Sequence, residues 1–149
     1  MPDADKVFAV IDTNVIVSSF FSKDGTSYPA QVISAILKGD IVPLYNDEIL
    51  AEYQEVLYRP KFPFTKMQVD TIVSAFKDYG NKVIRVSVEE ESFPDPDDIV
   101  FYEVKMSKED AYLVTGNIKH FPKKPLVVTP KEMVEILERK NIIRDESLQ

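Results

Sequence analysis

Five short apolar runs, separated from one another by helical patterns, leave this chain few architectures to choose from. They fall at residues 7–11, 41–44, 82–88, 111–114 and 126–128. β-Branched and aromatic residues dominate them, and each is too short for a typical helix. Helical patterns fill the gaps. One spans 29–38 and is followed by Gly39 as a C-terminal cap. Another spans 47–58 and is stopped by Arg59-Pro60. Thr65 and Gln68 have the form of a capping box, with Val69, Ile72, Val73 and Phe76 following at helical spacing. A further pattern covers 97–106. Thr129-Pro130-Lys131-Glu132 combines an N-cap, a proline in the first turn and a capping-box glutamate. Strands alternating with helices imply a parallel sheet covered on both faces. Nearly all-apolar strands such as "YLV" and "PLVV" fit burial on both sides. The expected fold is three-layer α/β/α with a central parallel sheet.

The 149 residues suffice for one domain with a substantial core. That core is expected over about 7–138, after a short polar N-terminus and before a tail that frays beyond Glu138. With no cysteine, disulfides, zinc–thiolate sites and thiol nucleophiles are excluded. His120 is the sole histidine, which removes multi-histidine metal sites and most histidine-paired triads. None of the 4 glycines lies in a phosphate-binding pattern. The net charge of −7 argues against bulk electrostatic binding of nucleic acid, which rests on Lys and Arg. It leaves room for an enzyme whose bound cations supply positive charge. "MPDADK" is too polar for a signal peptide and no run is long enough to span a membrane, so a soluble cytoplasmic protein is expected.

"VFAVIDTNVIVSSFF" places Asp12, Thr13 and Asn14 inside an apolar stretch. Asp12 follows a strand directly, at the sheet edge where α/β ligand crevices form. Capping of the next helix by Asp12 or Thr13 explains it equally well. On the 47–58 helix, Ile49, Leu50, Tyr53, Val56 and Leu57 cover an arc of about 120° at about 100° per residue. Glu52 lies about 40° off one edge of that arc, nearer than Glu48 or Glu55 on that side, either along a seam or simply on the surface. In "FPDPDDIVFYEV", Asp95 and Pro96 read as N-cap and first helical position, which sets Asp97 and Asp98 in the first turn. The helix dipole accounts for one acid there, and three exceed what capping needs. "AYLVTGNIKHF" repeats the opening pattern, a buried strand ending in Thr115, Gly116 and Asn117. Asn117 is either a cap for the next turn or a polar group at the same sheet edge.

Taken in order, "VIDTNVIVS", "EILAEYQEVLYRPKF", "DPDDIVFYEV", "AYLVTGN" and "VVTPKEM" resemble the PIN-domain proteins, in the branch of toxin–antitoxin toxins, over residues 7–138. The resemblance implies a metal-dependent nuclease acting on RNA. Carried over by position, the family's acids fall on Asp12, Glu52 and Asp98, with Asp97 as the fallback for the third. These would be the catalytic metal ligands. Asn14 and Thr115 match supporting polar positions, and Asn117 stands where relatives often have an aspartate.

A carboxylate site without thiols selects the hard ions Mg²⁺ or Mn²⁺. With Asn117 in place of an acid, a second ion is expected to bind weakly. Arg59, Lys61, Lys66, Lys119, Lys123 and Lys124 are candidates for phosphate contacts, or simply solvated surface charges. The partners expected are an RNA substrate, an antitoxin protein and a second copy of the chain, with no membrane. Two alternatives stand beside the nuclease. One is a degenerate PIN fold that only binds RNA or protein. The other is a haloacid-dehalogenase-type phosphatase, which needs a second aspartate where Asn14 lies.

Overall fold

The computed structural model describes residues 6–87 and 96–140. Its five strands are β1 (Val7–Ile11), β2 (Ile41–Tyr45), β3 (Asn81–Lys82), β4 (Tyr112–Val114) and β5 (Val127–Val128). They form one parallel sheet in the order β3-β2-β1-β4-β5. The helices are α1 (Thr13–Phe20), α2 (Tyr28–Leu37), α3 (Asp47–Leu57), α4 (Lys66–Tyr79), α5 (Ile99–Lys105) and α6 (Pro130–Arg139). α2 packs on α1 and α6, while α5 packs on β1, β2, β4 and α3, giving the three-layer α/β/α arrangement. Ile11, Ile36, Leu44, Ile49, Tyr53, Phe76, Phe101 and Leu113 form the centre of the hydrophobic core. Among the described residues no helix is long and apolar enough to cross a membrane.

Local signals in the sequence account for most element ends. Ser27 caps α2 by accepting from the Ala30 amide, and Asn46 caps α3 through the Ile49 amide at 2.9 Å. Both capping boxes form, Thr65 with Gln68 and Thr129 with Glu132. Gly39 follows α2 with φ of 86°, a left-handed conformation that glycine adopts without penalty.

Two expected elements are different. The strand anticipated over 82–88 pairs only at Asn81 and Lys82, apart from one further bond from the Val83 amide to Tyr45 O. β2 offers no ladder beyond Tyr45, so the chain leaves the sheet, with Ile84 80 % exposed and the Val86 amide bonded to Glu103 O. Arg85 then ties this segment to Glu48 and Glu103. The helix anticipated over 97–106 begins as a 3₁₀ turn at Pro96–Asp98 and becomes α-helical from Ile99. Val88, Asp95 and the tail at 141–149 lie outside the described residues.

Candidate active site

The strand order creates the site. After β1 the chain adds β2 and β3 on one side, then returns to place β4 on the other. The crevice at such a switch point, beyond the carboxyl ends of the strands, is where open α/β sheets bind ligands. Asp12 follows β1 there, and Thr115 follows β4. The ladder continues one step past the strands, with the Asp12 amide on Val114 O at 2.9 Å and the Thr115 amide on Val128 O at 2.9 Å. Backbone pairing thus holds both residues as rigidly as the sheet.

Asp12 is only 6 % exposed. Its Oδ2 accepts from the Thr115 hydroxyl at 2.7 Å and from Asn14 Nδ2 at 3.1 Å. Although it occupies the N-cap position of α1, its side chain makes no capping bond. Burial pushes its carboxyl above the usual range, and the Thr115 hydroxyl, the nearby Thr13 and Asn14 backbone (too poorly aligned for a full capping bond) and His120 offset this in part. The Thr115 hydroxyl also accepts from the Asn117 amide at 3.0 Å. Asn14 spans the same gap, its Oδ1 accepting from the Gly116 amide at 3.0 Å. A Cβ on Gly116 would stand 3.3 Å from that oxygen, so glycine permits the approach.

Glu52 reaches the site from α3, whose buried face is Ile49, Leu50, Tyr53 and Leu57. It is half-buried and accepts from the Thr13 hydroxyl. Burial raises its carboxyl, the Thr13 bond lowers it, and Asp12, Asp98 and Asp97 raise it further. Glu52 is therefore near enough to Asp12 and Asp98 to feel their charge. One residue along α3, the Tyr53 hydroxyl donates to Ile11 O at 2.5 Å and pins the helix to the end of β1.

Asp98 and Asp97 arrive on the 3₁₀ turn ahead of α5. The Asp98 side chain is largely buried, makes no capping bond, and lies 3.3 Å from His120 Nδ1. Asp97 is exposed. Asn117 is exposed too, starts the turn Ile118–His120, and makes no side-chain cap.

The six basic candidates are scattered. Arg59 pairs with Glu55 at 2.7 Å and Lys66 with Asp70 at 3.2 Å. Lys61 sits over the Phe62 ring, Lys119 is exposed on the turn after β4, and Lys123 and Lys124 are exposed just beyond it.

Sequence reasoning missed His120 and Tyr53 as neighbours of the acids, and weighed Thr13 only as a cap. His120 lies three residues after Asn117, but its partner Asp98 belongs to another element, and only folding joins them.

The class this geometry defines is an α/β domain with acids converging at the carboxyl edge of a parallel sheet. A family model described as PIN domain matches residues 9–119, and the chain belongs to that family. PIN-domain proteins are generally metal-dependent nucleases and typically use divalent ions. Comparison with curated proteins gave no match, and neither did comparison with solved structures.

Among the described residues, no three Asp, Glu or His side chains lie close enough together to hold a metal ion. Asp12, Glu52 and Asp98 thus stand near the same sheet edge, the first and last close enough for Glu52 to feel their charge, without forming a closed ligand cage. Their chemistry fits a hard divalent cation: oxygen donors only, partly desolvated, with mutual repulsion that a cation would relieve.

Proposed function

We propose that this chain is a Mg²⁺- or Mn²⁺-dependent endoribonuclease, with Asp12, Glu52 and Asp98 as the catalytic metal ligands. The observation that carries the reading is the approach of these acids at the β1/β4 switch point, where desolvation raises Asp12 and Glu52 and the charges of Asp12 and Asp98 raise Glu52 further. Bound divalent ions make water nucleophilic at neutral pH and compensate charge on a phosphodiester. The chain's own part is positional. Thr115 and Asn14 hold Oδ2 of Asp12, Thr13 orients Glu52, and His120 sits against Asp98. Asp98 rather than Asp97 takes the third position, because its side chain is turned inwards while Asp97 is exposed. Asn117 adds no charge, so one ion is held firmly and a second weakly. The role we assign in the cell is that of the toxin in a cytoplasmic toxin–antitoxin pair, on the resemblance of the motifs alone.

The test is cleavage of single-stranded RNA with Mg²⁺ or Mn²⁺ present. Loss of a partner that merely orients a metal ligand costs 10–100-fold, so loss of the ligand in Asp12→Asn is expected to cost roughly 100-fold or more. Cleavage by Asp12→Asn at the wild-type rate would put the site elsewhere. A second reading, a PIN fold that binds RNA or protein without cutting, is favoured by Asn117 and by the absence of a closed cage among the described residues. Metal-independent binding with no cleavage product would select it. Membership of the PIN family removes the basis for the phosphatase reading.

A further inference from the structure

Four phenylalanines cluster where α1 ends and in the loop that follows α3. α1 starts beside Asp12 and ends at Phe20, followed by Phe21. α3 carries Glu52 and leads into the loop with Phe62 and Phe64. Phe20 meets Phe64 edge-on at 4.8 Å, and Phe62 stacks on Phe64 at 5.0 Å with 10° between the planes. Phe21 lies against both, at 6.1 Å from Phe62 and 5.2 Å from Phe64.

Holding the loop to the domain requires only part of this group. Phe20 and Phe64 pack against the hydrophobic core. Phe21, by contrast, is 55 % exposed and Phe62 is partly exposed. Lys61 holds its ammonium 5.2 Å from the centre of the Phe62 ring, and Lys23 is exposed two residues beyond Phe21. On a chain of net charge −7, Lys61 sets a positive charge directly against this aromatic group, while Lys23 is followed by the exposed Asp24.

We propose that Phe21 and Phe62 form a stacking platform for unpaired bases of a single-stranded nucleic acid, on which the Lys61 ammonium leaves the Phe62 ring for a phosphate as a base takes its place. The identity of the strand rests on the nuclease reading above. Aromatic faces accept any base, and a neighbouring cation meets the backbone that joins the bases. Duplex is excluded because its bases are already stacked on one another. α1 is about 12 Å long, and stacked nucleotides of one strand advance about 3.4 Å each. A strand that follows α1 from Phe21 therefore covers roughly four nucleotides before it meets Asp12.

The experiment measures binding of a fluorescein-labelled 12-nucleotide RNA to Asp12→Asn protein in EDTA, by anisotropy, with the matching duplex as comparison. The expected result is single-strand binding that weakens at least roughly tenfold in Phe21→Ala/Phe62→Ala, the scale of a single stacking contact and so the lower bound for losing two. Phe62→Trp should restore part of it and Phe62→Leu should not, which separates stacking from bulk and from misfolding. Equal affinity in the double variant, or duplex bound as tightly as single strand, overturns the proposal. So does a double variant that changes only self-association, by sedimentation, since the patch is then a protein interface. Wild-type cleavage with unaltered binding in the variants removes the platform alone. Platform-dependent binding with no cleavage removes the nuclease alone.

Discussion

Thr115 does two jobs with one hydroxyl, donating to Asp12 Oδ2 and accepting from the Asn117 amide. Thr115→Val keeps the shape and leaves both partners short of a bond. We expect a loss of about 1–3 kcal/mol in urea denaturation. The Asp12 carboxyl should also rise further, because the lost bond favours its charged form. A variant as stable as wild type would show that water replaces the hydroxyl. Asn117→Asp tests the charge count instead. It adds a carboxylate at an exposed position beside the site, and should move the Mn²⁺ dependence of cleavage roughly tenfold lower, equivalent to about 1.4 kcal/mol. An unchanged metal titration places residue 117 outside the metal site. Asp12 itself was visible in the sequence as a carboxylate after a buried strand. The Asn14–Gly116 bond was not, because its ends are 102 residues apart and local pattern carries no such pairing.

Among the secondary elements, capping chemistry was the most legible feature. Thr129 and Glu132 exchange side-chain and backbone bonds at the start of α6, as Thr65 and Gln68 do at α4. Thr129→Ala should cost about 1 kcal/mol, read as a lower denaturation midpoint at unchanged slope. Full stability in that variant would mean that packing of Met133, Val134 and Leu137 sets the helix start alone. The strand expected over 82–88 was misjudged because β-propensity reports a fit to a half-buried surface, not the presence of a neighbour. At this sheet edge β2 ends at Tyr45, and Arg85 finds carboxylates instead of a ladder. The 3₁₀ turn at Pro96–Asp98 carries Asp98, whose contact with His120 joins separate elements.

For the molecule as a whole, the raised carboxyls of Asp12 and Glu52 make stability depend on pH, and the proposed metal site predicts a dependence on cations as well. The ordinary values for Asp12 and Glu52 are 3.8 and 4.5, and both are raised in the folded protein. A raised acid keeps its proton in the folded state after the unfolded chain has lost it. Stability therefore falls as pH climbs from those ordinary values through the raised ones. Without metal, the melting temperature should drop across that window, and drop less in Asp12→Asn, which removes one titrating group. Mn²⁺ at neutral pH should recover the loss by binding only the folded state, with a smaller recovery in Glu52→Gln and Asp98→Asn. Equal pH profiles and equal Mn²⁺ shifts in all four proteins would break the link between these acids and a common site. The sequence by itself determined the alternation of strand and helix, the caps, and the carboxylate that ends β1. These depend on neighbours within a few positions, where periodicity and side-chain chemistry act directly. Only the tertiary structure decided that Thr115 meets Asp12, that His120 meets Asp98, and that four phenylalanines gather where α1 ends and in the loop after α3. The order β3-β2-β1-β4-β5 brings these distant residues together, and burial of the whole core, rather than any local preference, selects it.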